Sequence, residues 1–123
     1  MSITEKVHDL VEHIKGGKIL DGFNKHYAGN VSMRENRNPP AVGKAANLER
    51  EKQFLASVKE WKSLNIAAVA VSEEGPGAGT SFIEYDFDFV NTDGQPVHYE
   101  QVSVQRWQGG KIVEERFYYD TGA

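Results

Sequence analysis

The chain reads as an α+β protein: three helices followed by a curved antiparallel sheet of four or more strands. Three observations predict this. Apolar residues recur at helical spacing through the first half. After Asn65 the period changes to two. Two glycine-bearing turns, Asn91-Thr92-Asp93-Gly94 and Gln108-Gly109-Gly110, then join runs whose inward faces match. With 123 residues and no internal repeat, low-complexity tract or linker, one domain over 1–123 is expected.

The elements follow in order. Val7, Leu10, Val11 and Ile14 make an amphipathic helix over about 4–15, with Thr4 as the expected N-cap and Gly16-Gly17 as its end. A second helix is expected over 18–28, with Ile19, Leu20, Phe23 and Tyr27 inward and Gly29-Asn30 as its breaker. Val31–Glu35 reads as a short strand. Asn36–Gly43 is a loop, because Pro39-Pro40 can continue neither a ladder nor a helix. The third helix is expected over 44–62, with Leu48, Phe54, Leu55, Val58 and Trp61 on its apolar side and Glu51 on or beside it. Ile66–Ser72 is a strand and Glu73–Gly79 a turn. Phe82–Val90 alternates cleanly, with Ile83, Tyr85, Phe87 and Phe89 on one face and Glu84, Asp86 and Asp88 on the other. The Asn91–Gly94 turn then pairs Phe87 with Tyr99 and Tyr85 with Gln101. The Gly109-Gly110 loop is expected to pair Gln105 with Val113, Ser103 with Glu115 and Gln101 with Phe117.

Bulk chemistry excludes several functions. No apolar run approaches the ~20 residues of a bilayer helix, and the N-terminus MSITEKVHDLVEHI lacks an apolar signal core. A chain with no cysteine has no disulfide, thiol catalysis or thiolate metal site. These features fit a cytoplasmic protein. The formal net charge of −4 argues against nucleic acid or an anionic membrane as partner. The four histidines show no metal spacing, and the glycine-rich segments lack the strand-to-helix context of a phosphate loop. His26 neighbours Tyr27, while His98 falls beside Asp88 on the opposite sheet face. No metal and no cofactor is expected.

The last quarter of the chain points to a small molecule. One face of Val97–Asp120 carries Tyr99, Gln101, Ser103, Glu115, Phe117 and Tyr119. Large aromatics, hydrogen-bonding groups and a carboxylate share that face, where a purely structural face would be almost wholly apolar. With Tyr27, Tyr85 and Phe87 these residues form the expected pocket wall. Glu115 lies among apolar neighbours and needs partners there, with Ser103 and Gln101 the expected ones. Gln101, Ser103 and Gln105 could orient a ligand carbonyl or hydroxyl, or bridge the sheet. The opposite face, with Val102, Val104, Ile112 and Tyr118 among charged residues, has an apolar centre.

The segments HYAGNVSMRE (26–35), VGKAANLEREKQFLASV (42–58) and EQVSVQRWQGGKIVEERFYYD (100–120), in this helix-first order, resemble the SnoaL-like polyketide cyclases. These are a branch of the cone-shaped nuclear transport factor two-like superfamily that includes many bacterial proteins. The resemblance implies three N-terminal helices packed on a curved antiparallel sheet, a pocket inside the cone, and a homodimer formed through the outer sheet face. It also places Glu35 where the ketosteroid isomerases of the superfamily keep their catalytic aspartate. Ser103 and Val11 stand near the positions of those enzymes' other two groups, so that set is not reproduced here. SnoaL-like cyclases use a sheet carboxylate as acid or base, a role open to Glu115 or Asp120.

The expected catalytic residues are therefore Glu35 and Glu115. A carboxylate in an apolar cone has its charged form disfavoured, which suits a general base acting on a carbon acid. Three readings compete. One is an enzyme without cofactor, of isomerase, cyclase or lyase type, acting on a hydrophobic, oxygen-bearing molecule. The second is a binding module with the same pocket. The third is a dimerising scaffold.

Overall fold

In the computed structural model, which describes residues 1–120, the first helix α1 (Ile3–Lys15) begins two residues earlier than Thr4 as its N-cap suggests. Ser2 is the N-cap: its hydroxyl accepts from the Glu5 N–H at 3.1 Å, and Glu5 Oε1 accepts from the Ser2 N–H at 3.1 Å. This reciprocal box satisfies two of the helix's orphan donors. Thr4 instead donates its N–H to Glu73 Oε1 at 2.9 Å, tying the helix start to the sheet. The second helix, α2 (Ile19–His26), stops before Tyr27, which is the first residue of β1 (Tyr27–Glu35). The expected helix over 18–28 and strand over 31–35 are thus corrected to a shorter helix and a longer strand.

The loop after β1 contains a two-residue strand, β2 (Ala41–Val42), which pairs antiparallel with Ser32 and Met33. Buried Asn47 holds this corner, donating from Nδ2 to the carbonyls of Ala41 and Gly43, each at 2.9 Å. Helix α3 (Lys44–Ala56) is six residues shorter than expected, ending at 56 and not 62. Val58 and Trp61 lie instead on β3 (Val58–Gly75), an 18-residue strand. Its register against β4 (Ala78–Asn91) shifts four times, each shift inserting one residue into β3. Trp61, Leu64, Ile66, Val69 and Val71 therefore face Phe89, Phe87, Tyr85, Ile83 and Ser81 despite their irregular spacing.

Strand β5 (Pro96–Gln108) follows a turn in which Asn91 Oδ1 accepts from the N–H groups of Asp93 and Gln95, with Gly94 at φ +79°. The expected pairs Phe87–Tyr99 and Tyr85–Gln101 form. The next hairpin differs from expectation. Gly109 and Gly110, at φ +60° and +76°, make a two-residue turn between Gln108 and Lys111 at the start of β6 (Lys111–Tyr119). Beyond Trp107–Ile112 the register shifts by one at Val113, giving the pairs Gln105–Glu115, Ser103–Phe117 and Gln101–Tyr119. Every expected partner is displaced by two residues, so the face is preserved. The one residue that changes sides is Ile112, expected outside and found fully buried.

The sheet has the order β2-β1-β6-β5-β4-β3 and does not close. All its pairs are antiparallel except β1 with β6, which run parallel, a correction to the all-antiparallel expectation. One hydrophobic cluster joins Ile3, Val7, Leu10 and Val11 of α1 and Phe23 of α2 to Ile83, Trp107 and Ile112 of the sheet. Two hairpin tips lock together at its edge. The Gly110 N–H donates to Gly77 O at 2.9 Å, and a Cβ on Gly77 would meet that nitrogen at 2.9 Å, so glycine is needed there.

Candidate functional site

Beside this core the structure leaves a cavity of about 820 Å³, within the range of small-molecule sites. The sheet wall is built by period-two alternation: Ile83, Tyr85 and Phe87 from β4, Tyr99, Gln101, Ser103 and Gln105 from β5, Glu115, Phe117 and Tyr119 from β6. Tyr27, Met33 and Glu35 enter from β1. The helical wall is one face of α3, with Asn47, Arg50, Glu51, Phe54 and Leu55 at helical spacing. All ten residues singled out in the sequence line this space. Ring contacts run along it: Phe54 meets Trp61 and Phe87 edge-on, Phe87 meets Tyr99 at 5.3 Å, and Tyr99 meets Tyr119 edge-on at 5.4 Å.

Glu115 is the chemical centre. It is 2% exposed. The Tyr27 hydroxyl donates to its Oε1 at 2.6 Å, and Gln105 Nε2 donates to its Oε2 at 2.8 Å. Gln105 is fixed in turn, its Oε1 accepting from the Ser81 hydroxyl at 2.6 Å while Trp107 Nε1 donates to Ser81 Oγ at 2.9 Å. Of the expected partners, Ser103 also favours the Glu115 anion by its hydroxyl, and both Ser103 and Gln101 engage Tyr85: Ser103 Oγ lies 3.2 Å from the Tyr85 hydroxyl, to which Gln101 Nε2 donates. Burial lifts the Glu115 carboxyl to about 7, against the hydrogen bonds from Tyr27 and Gln105, which favour the anion. Tyr27 is itself held well above the ordinary phenol range, by burial first and by the Glu115 charge second. Tyr27 therefore keeps its proton while Glu115 passes between acid and anion near neutral pH, at the closed end of an aromatic cavity.

Glu35 sits at the other end. Its side chain is 42% exposed, and Oε2 is 3.7 Å from Arg50 Nη2. The sequence places it inside an apolar cone as a general base. In the structure it stands at the mouth, with Arg50 in reach and Tyr119 nearby, whose phenol is raised by burial and then by the Glu35 charge. Asn36, in the left-handed region at φ +51°, fixes this end: its N–H donates to Phe117 O at 2.7 Å and its Oδ1 accepts from the Tyr119 N–H at 2.9 Å. Glu51 also lines the cavity, half-buried, and its carboxyl is raised first by burial.

His26 does not line the cavity. Its Nε2 lies 2.7 Å from Asp9 Oδ2, which Lys25 Nζ also reaches at 2.9 Å, and its ring meets Trp107 edge-on. Among the described residues no cluster of three histidine or carboxylate side chains could hold a metal. Sequence reasoning missed Arg50, Ser81 and Trp107. Ser81 and Trp107 continue the inward alternations of β4 and β5 by one step each, a signal available in the pattern.

No protein-family model matches the chain, and no curated protein matches it. Solved structures do. A candidate SnoaL-like polyketide cyclase from Mesorhizobium loti superposes with a TM-score of 0.72 at 24% identity, over 97% of this chain and 100% of that one. A candidate polyketide cyclase from Pseudomonas putida gives 0.74 at 15% identity, over 99% and 94%. A candidate isomerase from Bacillus subtilis gives 0.70 at 19% identity, over 95% and 85%. The chain has the SnoaL-like, nuclear transport factor two-like fold.

Proposed function

We propose that this protein binds a small hydrophobic, oxygen-bearing molecule in its cavity and relocates a proton on it, as an isomerase, cyclase or lyase that uses only its own acid and base groups. The observation that carries the reading is Glu115: a carboxyl poised near neutrality, 2% exposed, and facing an aromatic cavity of about 820 Å³. A sheet this aromatic offers flat apolar contact, while Gln101, Ser103 and the Tyr85 hydroxyl offer polar groups to a carbonyl or hydroxyl. Solved neighbours of the same fold are described as cyclases and an isomerase, which supports such chemistry.

The test uses 2-tetralone, a bicyclic ketone with acidic α-hydrogens. In D₂O at pD near 7 the wild type is expected to exchange those hydrogens, followed by proton NMR, and Glu115→Gln to exchange them at least 10²-fold more slowly, as is typical of a lost acid–base group. A second reading, ligand binding without chemistry, is favoured by the completeness of the Tyr27–Glu115–Gln105 network, which also suits a structural role. Quenching of Trp61 fluorescence by 2-tetralone with no exchange would select it.

We also propose a homodimer formed through the outer sheet face. There Phe82 and Tyr118 are 39% and 44% exposed beside Val102 and Val104, and Arg116 stacks on Tyr118 at 4.5 Å.

A further inference from the structure

We infer that Glu51 is the base of the cavity, the carboxylate that takes a proton from the bound molecule while the Glu115–Tyr27 pair serves as the acid on the sheet wall. The inference rests on the proton-transfer reading above and adds a residue to it.

Geometry singles Glu51 out. Three glutamates line the cavity. Glu115 is tied on both oxygens, to Tyr27 and Gln105. Glu35 is half-exposed at the mouth, with Arg50 at 3.7 Å. Glu51 projects from the inner face of α3 between Asn47 and Phe54, and among the described residues no hydrogen bond or ion pair reaches its carboxylate. A half-buried carboxylate without a protein partner leaves its lone pairs for whatever fills the cavity.

The groups whose charge or titration couples to it are Arg50, Glu35, Glu115, Tyr27 and Tyr85. Burial raises the Glu51 carboxyl, Arg50 lowers it and Glu35 raises it again, while the Glu51 charge raises Glu115 in turn. Two like charges sharing one cavity resist double ionisation, and burial disfavours the charged form most where it is deepest. Glu115 is fully buried and tied on both oxygens while Glu51 is half-buried with open lone pairs, so the acid role falls to Glu115 and the base role to Glu51.

On a ketone with an α-hydrogen the step balances without any further reactant. The Glu51 carboxylate takes the α-proton. The C–H electron pair becomes the carbon–carbon double bond, and the carbonyl π pair moves to oxygen, which takes the proton of Glu115. The product is the enol, with Glu51 protonated and Glu115 ionised. Reversal, or delivery of the Glu51 proton to another carbon of the conjugated system, completes the relocation.

The experiment compares wild type, Glu51→Gln, Glu51→Asp, Glu12→Gln and Glu115→Gln in α-hydrogen exchange of 2-tetralone in D₂O, from pD 4 to 9. Thermal melting confirms that each is folded. The wild type is expected to give a bell-shaped profile, its acid limb set by Glu51 and its alkaline limb by Glu115. Glu51→Gln is expected to lose about 10²–10⁴-fold in kcat with little change in KM, and to lose the acid limb. Glu51→Asp keeps the carboxylate and should retain partial rate with the limb intact, whereas Glu12→Gln, exposed on α1 away from the cavity, should stay within a few-fold of wild type. Exchange at the wild-type rate by Glu51→Gln, with Glu115→Gln inactive, overturns the assignment of Glu51 and leaves the proton-transfer reading standing. No exchange by the wild type overturns both.

Discussion

Replacing Glu115 by glutamine should change how stability depends on pH more than it changes stability itself. The carboxyl is lifted from its ordinary 4.5 to about 7 in the folded protein. Between those values the native state holds a proton that the unfolded chain has released, so stability falls as pH rises through the window. The favourable contribution is complete below the unfolded value and lost above the folded one. An interval of about 2.5 pH units at ~1.4 kcal/mol each gives about 3 kcal/mol. Because the group is sealed from solvent, no discount for screening applies. Glu115→Gln removes the titration. Its new amide also sets an N–H against one of the two donors, the Tyr27 hydroxyl or Gln105 Nε2, a mismatch of ~1–3 kcal/mol that does not vary with pH. Urea unfolding followed by the fluorescence of Trp61 and Trp107 at pH 4.5 to 8 reads both effects. The expected result is a wild-type stability that declines by about 3 kcal/mol more than the variant's across this range, with the variant less stable at the acid end. Two curves that run parallel from pH 4.5 to 8 would refute the argument, because they would mean Glu115 titrates alike in both states.

Other perturbations follow from single contacts. Tyr27→Phe removes the donor to Glu115 Oε1, a bond that favours the anion, and should raise the Glu115 midpoint by ~1–2 units in a carboxyl NMR titration. Ser2→Ala breaks the capping box of α1 and should cost about 1 kcal/mol in a denaturant melt, whereas Thr4→Ala at its N-terminal turn should leave the cap intact. Val104→Glu puts a carboxylate into the apolar centre of the outer face, and light scattering should then report the monomer mass at concentrations where the wild type is dimeric. Val113 is the extra residue of the β6 shift, so deleting it joins Ile112 to Glu114 without moving Glu115 from its place opposite Gln105, and α-hydrogen exchange should stay within a few-fold of wild type with strand content by circular dichroism kept.

What the sequence shows plainly and what it hides divide along register. Strands β4 and β5 alternate without a break, so the pairs Phe87–Tyr99 and Tyr85–Gln101 can be read directly. The strand β3 cannot. Its four inserted residues put Val58, Trp61 and Leu64 three apart, which is the spacing of a helix face, and the extended helix over 44–62 is the natural misreading. The Gly109-Gly110 hairpin hides a compensation. A two-residue turn alone would place Glu114 inside, and the shift at Val113 restores Glu115, so the inward face is legible although its partners are not. Ile112, on the turn side of that shift, is the casualty of simple alternation. The site is legible as a list of side chains, because aromatic and amide residues share one face. Its wiring is not. That Tyr27, from the start of β1, reaches Glu115 depends on β1 lying beside β6 in parallel, a long-range pairing no local pattern encodes. Glu51 is visible as a carboxylate on an apolar helix side, but only the assembled cavity shows that among the described residues no hydrogen bond reaches it.

The protonation of Glu115 in the folded protein carries the whole account, and it can be read directly by carboxyl carbon-13 NMR across pH 3 to 9, with Glu115→Gln assigning the resonance. A midpoint near 7 is the result expected from burial between Tyr27 and Gln105. A midpoint near the ordinary 4.5 would contradict it, leaving a fully ionised carboxylate at neutral pH and no poised proton in the cavity.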